Sequence, residues 1–370
     1  MSHRTLLILL CAALAASASS LGGTAALETR VFGFEDWKQK IAELQLDPDE
    51  VVYPFHVTEE MQAWAKEKLS GFQAAGPEVQ LQVLQQAFFD KGEFEFEYEQ
   101  MRTLTAEEAF AARHGNCMSF TSLFVALARS LDFPAVLVAV DRQPEVERDG
   151  ALVVVNRHVV AGYRAPQRLY TYDFYVSEST PMISPNIIDD VAASAMYHTN
   201  IGGHAIRQGD LEGALHNLRI ATILAPSWAP AWVNLGVTYA RLGDEQAAFD
   251  SFQHALEVEP GNSSALVNLS KFYRDQGREE EADNAMRAAA EGTRNPFTLI
   301  SMADAEMLRG NYDEARQYLR RARWWYAKEP HVYDALARLA VLENDPDKAS
   351  RYRQRAVELR SRSAEESPSQ

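Results

Sequence analysis

Three side chains in the first half of the chain, a thiol, an imidazole and a carboxylate, could together perform nucleophilic catalysis on a carbonyl group. Cys117 is followed by His158 after 158 − 117 = 41 residues, and Asp173 follows after a further 173 − 158 = 15 residues. In such a set the thiolate attacks the carbonyl carbon, the imidazole takes and returns the proton, and the carboxylate fixes the imidazole tautomer. The chemistry requires a fold that brings the three together.

The segment around Cys117 predicts a core helix that begins at the thiol. Apolar residues recur at three- and four-residue intervals from Met118 to Leu131. A short preceding helix is predicted to start at the capping pattern Thr105 to Glu108 and to end near Gly115. Cys117 would then lie in the first helical turn, where unpaired amides and the positive end of the helix dipole stabilise a thiolate.

The imidazole and the carboxylate are predicted to lie on strands. Segments 134–140, 151–163 and 169–176 are rich in Val, Ala and aromatic residues, which is typical of strands. His158 falls on the second segment and Asp173 on the third, so a helix that carries a thiol can pack on a sheet that presents both partners. His114 is a rival base, but we expect it to point elsewhere because Gly115 reverses the chain after it.

The sequence Gly-Asn-Cys-Met-Ser-Phe at 115–120, with its continuation to Pro134-Ala135, resembles the nucleophile helix of the transglutaminase-like superfamily. The segment 105–110 resembles the family's approach to that helix, and the resemblance covers roughly residues 64–176. It implies an α+β, papain-like domain over 28–183 in which His158 and Asp173 complete a triad with Cys117. It also implies amide hydrolysis or acyl transfer to an amine.

Other catalytic mechanisms lack motifs in this chain. Cys-x-x-Cys, His-Glu-x-x-His, a glycine-rich phosphate loop and Gly-x-Ser-x-Gly are all absent from the sequence. We therefore expect neither a cofactor nor a metal ion.

The second half of the chain repeats with a period of 34 residues. Five alanines, each preceded five positions earlier by Gly or Asn, are spaced by 34, 34, 33 and 34 residues: Ala214, Ala248, Ala282, Ala315 and Ala349. Segment 232–260 has the Trp, Leu-Gly, Tyr, Ala, Phe and Pro pattern of the tetratricopeptide family, which it resembles. The resemblance implies an all-α solenoid of about five repeats over 195–360, after a linker at 184–194 and before a disordered tail at 361–370.

The first helix of each repeat should line a concave groove. Spacing within the repeats places there Arg207, Val233, Val237, Arg241, Lys271, Arg274, Ile300, Asp304, Met307 and Arg338. This groove would be more basic than the rest of the chain. We expect it to bind a protein or a peptide, with a solvated spacer as the alternative.

The first residues and the overall charge indicate a location and exclude some partners. Residues 1–18 combine Arg4, an apolar run and small residues, which is typical of a signal peptide and predicts an exported, periplasmic or secreted protein. The apolar run is shorter than the roughly 20 residues that a membrane helix requires, so stable membrane insertion is not expected. A net charge of −16 makes nucleic acid an unlikely partner because phosphate backbones are repelled.

Removal of the leader would also remove Cys11 and leave Cys117 as a lone thiol in an oxidising compartment. An inert buried cysteine, an intermolecular disulfide and a reactive nucleophile are the three interpretations of such a residue. The pattern favours an exported thiol enzyme whose repeats hold a protein substrate or partner. The alternative is a non-catalytic scaffold that functions through the repeat groove alone.

Overall fold

The computed structural model describes residues 33–140, 145–149, 152–156, 158–165, 168–174, 186–291 and 296–366. The predicted signal peptide at 1–18 lies outside these residues. The first part of the chain contains the elements α1 Phe34–Glu43, α2 Glu59–Lys68, α3 Pro77–Phe89, β1 Glu97–Tyr98, α4 Ala106–Ala112, β2 His114–Gly115, α5 Cys117–Ser130, β3 Ala135–Ala139, β4 Glu145–Asp149, β5 Leu152–Asn156, β6 Val159–Arg164, β7 Leu169–Tyr172 and β8 Asn186–Ile188.

An all-helical part follows. It contains α6 Asp190–Gln208, α7 Leu211–Leu224, α8 Ala229–Leu242, α9 Glu245–Val258, α10 Ser263–Asp275, α11 Glu279–Ala290, α12 Pro296–Arg309, α13 Tyr312–Trp325, α14 Pro330–Leu342 and α15 Pro346–Glu366. The fold is therefore the predicted one, an α+β domain followed by an all-α tetratricopeptide solenoid.

The sheet of the first domain is antiparallel and has the strand order β7-β6-β3-β8. Its central strand β3 is buried at every position, and helix α5 packs against β3 and β6. Phe120, Phe124 and Leu127 of α5 belong to the largest apolar cluster of the chain, together with Phe88 of α3. This packing fixes α5, and with it Cys117, relative to the ends of β6 and β7.

Local sequence signals set the helix boundaries of this domain. The Thr58 hydroxyl accepts a hydrogen bond from the amide of Met61 at the start of α2, and Pro77 opens α3. At the start of α4, Thr105 and Glu108 form a reciprocal capping box. Arg113 ends α4 in the left-handed conformation, which lets the chain turn into β2.

Close packing within the repeats depends on small residues and on turn residues. A methyl group on Gly202 would lie 2.5 Å from Leu218, and one on Gly236 would lie 2.5 Å from Phe252, so both helix pairs require glycine at the crossing. The glycines that end α6 and α8, Gly209 and Gly243, have φ of +81°. These residues produce the helix-turn-helix unit that the spacing predicts.

The first repeat also packs against the α+β domain. Ala193, Met196 and Tyr197 of α6 belong to the core cluster of that domain. Asp190, which is fully buried, accepts two hydrogen bonds from the guanidinium of Arg129, at 2.9 and 3.0 Å. Helix α6 is consequently part of both cores.

This sharing changes the predicted domain boundary. The predicted linker at 184–194 includes β8, which pairs with β3, and the first turn of α6. Segment 186–194 is ordered by burial because Ile188 and Ala193 enter the core of the first domain. The predicted disordered tail at 361–370 differs in its first part, since α15 continues through Glu366, and residues 367–370 lie outside the described residues. Segment 361–366 contains no Gly or Pro and is rich in Ala, Arg and Glu, which favour helix.

Strands β4 and β5 form an antiparallel hairpin that lies between β3 and β6 in the sequence. Strand β5 lies against helices α6, α8 and α10, which are the first helices of the first three repeats. The hairpin therefore extends from the α+β domain onto the face that was predicted to be the groove.

Candidate active site

Cys117 is the first residue of α5, as the sequence predicts. Asn116 caps this helix, because its side-chain carbonyl accepts a hydrogen bond from the amide of Ser119 at 3.1 Å. The Cys117 thiol is free and partly exposed. Position and exposure together place a reactive atom at the positive end of a long buried helix.

His158 and Asp173 meet beside this thiol. The imidazole Nε2 lies 3.0 Å from Asp173 Oδ2, and the two side chains are 17% and 13% exposed. His158 also hydrogen-bonds with Cys117 through its side chain. Because Nε2 faces the carboxylate, Nδ1 is the ring nitrogen that is left to face the thiol. The fold thus brings together the three side chains that the sequence singled out.

The environment of the imidazole favours its charged form. Burial by itself lowers the pKa of His158, but the hydrogen bonds and charges of Asp173 and Cys117 outweigh burial and raise this pKa to about 10. The imidazole is then an imidazolium at neutral pH. A cation in contact with the thiol stabilises the thiolate, the nucleophilic form.

The two strand predictions need a correction in detail. His158 immediately precedes β6 and Asp173 immediately follows β7, so both residues lie at strand ends and not within strands. The predicted strand 151–163 is two strands, β5 and β6. A strand end leaves the side chain free of the alternation between sheet faces, which is why both groups can turn towards the start of α5.

His114, the rival base, lies elsewhere. It is part of β2, and its Nδ1 lies 2.9 Å from the carboxylate of Glu99. The chain reversal at Gly115, where φ is +153°, separates it from the thiol as the sequence suggested.

A buried polar network supports the start of α5. The Ser119 hydroxyl donates to the carbonyl of Arg102 at 3.1 Å and accepts from the amide of Leu104 at 2.8 Å. Asn116 Nδ2 donates to the Thr103 hydroxyl at 2.7 Å. The loop before α4 is thereby attached to the first turn of α5, and the position of the thiol is set from both sides.

Asp173 has its own supports, which the sequence analysis missed. Gln85 of α3 donates from Nε2 to the main-chain carbonyl of Asp173 at 2.7 Å, and Asp173 Oδ1 accepts from the amide of Phe174 at 2.7 Å. The ring of Phe174 packs on Phe89, Phe120 and other aromatic rings. Gln85 gives no local signal in the sequence, because its partner is 88 residues away.

The residues predicted to line the groove fall into two groups. Four of them are apolar and belong to buried clusters: Val233, Val237, Ile300 and Met307. The basic residues Arg207, Arg241 and Lys271 are partly buried, whereas Arg274 and Arg338 are exposed.

The basic residues of the predicted groove have partners within the chain, and Arg274 pairs with Glu279. Arg241 donates to the carbonyl of Ile206 at 2.8 Å, Arg338 makes a bidentate pair with Asp304, and Lys271 pairs with Asp275. Carboxylates of the same chain therefore neutralise at least three of the five basic side chains, those of Lys271, Arg274 and Arg338.

The described residues contain neither a cluster of metal ligands nor a membrane-spanning helix. In these ranges no three His, Cys, Asp or Glu side chains converge in a way that could hold a metal ion. The helices described here include none that is both long and apolar enough to cross a bilayer.

Comparison with known proteins supports the division into two parts. Residues 62–170 match the transglutaminase-like superfamily, and residues 229–262 and 263–291 each match the tetratricopeptide repeat. The first match includes Cys117 and His158 and ends shortly before Asp173. No curated protein matches the chain.

Solved structures similar to this chain cover somewhat less than half of it. PilF of Pseudomonas aeruginosa is 22% identical over 44% of this chain and 75% of its own, with a TM-score of 0.38. MamA from Desulfovibrio magneticus RS-1 is 19% identical over 45% and 95%, with a TM-score of 0.34. YrrB, described as a TPR protein with an unusual peptide-binding site, is 18% identical over 45% and 86%, with a TM-score of 0.32. On the family matches, the chain is a fusion of a transglutaminase-like domain and tetratricopeptide repeats.

Proposed function

We propose that this protein is an exported thiol enzyme that acts on amide bonds through Cys117, His158 and Asp173. The observation that carries the proposal is the position of His158, which hydrogen-bonds both with Asp173 and with the thiol at the start of α5. The apolar leader at 1–18 supports export.

The proposed reaction begins from an ion pair in which the proton of the thiol already resides on Nδ1 of His158, so that the sulfur is a thiolate beside an imidazolium. The thiolate attacks the carbonyl carbon of the amide, and negative charge develops on the carbonyl oxygen. The amide N–H of Cys117 can donate to this oxygen, because the first residue of a helix does not use its amide within the helix. The imidazolium then protonates the leaving amine, which leaves an acyl group on the sulfur.

The second half of the reaction decides between two activities. Water attacks the thioester in a hydrolase, whereas a primary amine attacks it in an acyltransferase. His158 accepts the proton of the incoming nucleophile in either case, and Asp173 keeps the imidazole ring oriented. The repeats supply a surface for a protein substrate or partner.

A paired assay tests the proposal and separates the two activities. Purified protein is incubated with an unfolded protein mixture and a fluorescent primary amine, and both amine incorporation and new peptide termini are measured by mass spectrometry. At least one reaction is expected with wild type and neither with Cys117→Ala. Equal signals for the two proteins would contradict the enzyme and favour a scaffold that functions through the repeats.

A further inference from the structure

The β4–β5 hairpin connects the candidate active site to the repeats, and neither the triad nor the family matches explain it. Strand β5 lies along α6, α8 and α10. The first helices of successive repeats line the concave side of such a solenoid. The hairpin therefore occupies the concave surface of the first three repeats, which would otherwise be open to a partner.

Burial on these helices agrees with a covered surface. Asn234 of α8 and Asn268 of α10 occupy equivalent positions in consecutive repeats and are 0% and 1% exposed. Thr238, one turn further along α8, is also fully buried. The equivalent residue of the first repeat, Asn200, is partly exposed, so the cover is most complete over α8 and α10.

The residue types at one equivalent position of the repeats change along the solenoid. With the spacing of the repeats, this position is occupied by Gly203, Val237, Lys271, Asp304 and Arg338. Gly203 and Val237 are buried, whereas the side chains of Lys271 and Asp304 are each 36% exposed and that of Arg338 is 51% exposed. At this position the first two repeats have buried, uncharged residues, and charged residues begin with Lys271 of α10, which β5 also contacts.

The sequence of the hairpin suits this location. Strand β5 reads Leu-Val-Val-Val-Asn, and β4 reads Glu-Val-Glu-Arg-Asp. A continuous apolar run is typical of a strand that is buried on both faces. Pairing with β4 satisfies one edge of β5 and covers neither of its faces, and the inner helices of the first three repeats lie against the strand.

The end of β5 lies next to the candidate active site. Only residue 157 separates Asn156, the last residue of β5, from His158. After His158 the chain enters β6, and the amide of Val140 donates to the carbonyl of His158 at 3.1 Å. The main chain at His158 is therefore hydrogen-bonded to the sheet on one side and lies two residues from the end of β5 on the other.

We propose that the concave surface of the first three repeats binds an extended apolar strand, that the chain's own β5 occupies this surface, and that this occupancy positions His158. An external strand of the same chemistry would displace the hairpin and lower the reactivity of the site. The regulatory part of this inference rests on the proposed function, whereas the occupancy of the groove does not.

Peptide binding tests the occupancy without any need for turnover. In one variant, residues 145–156 are replaced by a Gly-Ser loop of equal length, and the probe is a fluorescent synthetic peptide of residues 145–156. The variant is expected to bind the peptide saturably and at least tenfold more tightly than wild type, in which the groove is occupied. Equal affinities, or absence of binding to a folded variant, would overturn the proposal.

Alkylation of Cys117 by iodoacetamide at pH 6 tests the link to His158. The loop variant and Val237→Lys are both expected to react at least tenfold more slowly than wild type, and Val357→Lys, at an exposed position of α15 outside the groove, is expected to react at the wild-type rate. If Val237→Lys does not fold, the loop variant still tests whether the hairpin positions His158, because it leaves the sequence of the repeats unchanged. Unchanged alkylation in a folded loop variant that binds the peptide would overturn positioning of His158.

The proposed function and this inference fail in different ways. Slow, ordinary reactivity of the wild-type thiol would contradict the enzyme and leave the peptide result intact. A reactive wild-type thiol with equal peptide affinity for both proteins would retain the enzyme and contradict occupancy of the groove.

Discussion

The two regions of the molecule contain the same ion pair in opposite settings. Arg129 and Asp190 join the α+β domain to the first repeat, with side chains 14% and 0% exposed. Arg338 and Asp304 join two inner helices of the solenoid, with side chains 51% and 36% exposed. Both arginines make a bidentate contact, so burial is the variable that separates the pairs.

The contrast extends beyond these pairs. The α+β domain holds its site with buried polar groups, such as Ser119 and Asn116, whose partners come from other elements. The repeats use apolar contacts between neighbours and keep most charges at the surface. An unpartnered polar group at Ser119 or Asn116 would lie in a dry environment, whereas the surface charges of the repeats are solvated.

The largest predicted difference follows from removing one partner of each pair. Arg129→Ala leaves a fully buried carboxylate without its cation, and we expect it to lower the free energy of unfolding by about 3 to 5 kcal/mol. Arg338→Ala leaves a solvated carboxylate, and the expected loss is below about 1 kcal/mol. Chemical denaturation followed by circular dichroism measures both, and similar losses would contradict the role given to burial.

A buried histidine at the domain interface should make stability sensitive to acid. The amide of Val52 donates to Nε2 of His198, and Nδ1 contacts the side-chain oxygen of Asn217. Burial lowers the pKa of His198 to about 4. The folded state therefore binds fewer protons than the unfolded state between about pH 6.5 and pH 4, so the contribution of His198 is complete above pH 6.5 and is lost as the pH falls.

This loss amounts to about 3 kcal/mol at pH 4, from the separation between the two pKa values. The free energy of unfolding is measured from pH 7 to pH 4 in wild type and in His198→Gln, in which the titrating group is absent. The variant is expected to be less stable at pH 7 and to lose about 3 kcal/mol less across this range. Parallel curves would show that His198 does not titrate differently in the folded state.

Two glycines with unusual backbone angles provide a smaller contrast. A methyl group on Gly115 would lie 2.4 Å from Cβ of the buried Ser119, and φ is +153°, whereas Gly92 has φ of +81° and open space around it. Gly115→Ala should cost about 2 kcal/mol or more because strain and collision add, and Gly92→Ala about 1 kcal/mol from strain alone. Thermal denaturation compares them, and the reverse order would contradict the packing around Ser119.

What the sequence could predict follows the same division between local and distant contacts. Gly209, Gly243 and the spacing of the alanines predict the solenoid because each repeat contacts mainly its neighbours. Cys117 was predictable because a helix start is a local signal. The contact of Gln85 with Asp173, the pair Arg129 and Asp190, and the cover that β5 gives to the inner helices all join distant segments. Such contacts produce no periodic or local pattern in the sequence from which they could be predicted.

The ends of the strands near His158 also show what the sequence alone does not predict. The alternation and composition of segment 151–163 predict an extended chain, but they do not show that it divides at His158 into a hairpin arm and a sheet strand. The direction of the imidazole depends on that division. Residue types could therefore identify the cluster, whereas its geometry required the fold.

The most direct test of the central claim, that Cys117, His158 and Asp173 form one reactive unit, is the rate of alkylation of Cys117 by iodoacetamide between pH 5 and pH 9. In wild type the rate at pH 6 is expected to exceed that of His158→Ala at least tenfold, because the charged imidazole beside the sulfur favours the nucleophilic thiolate. In His158→Ala the rate should rise about tenfold per pH unit, as for an isolated thiol. Asp173→Asn should fold and lie between the two. A wild-type profile that coincides with that of His158→Ala would contradict the claim.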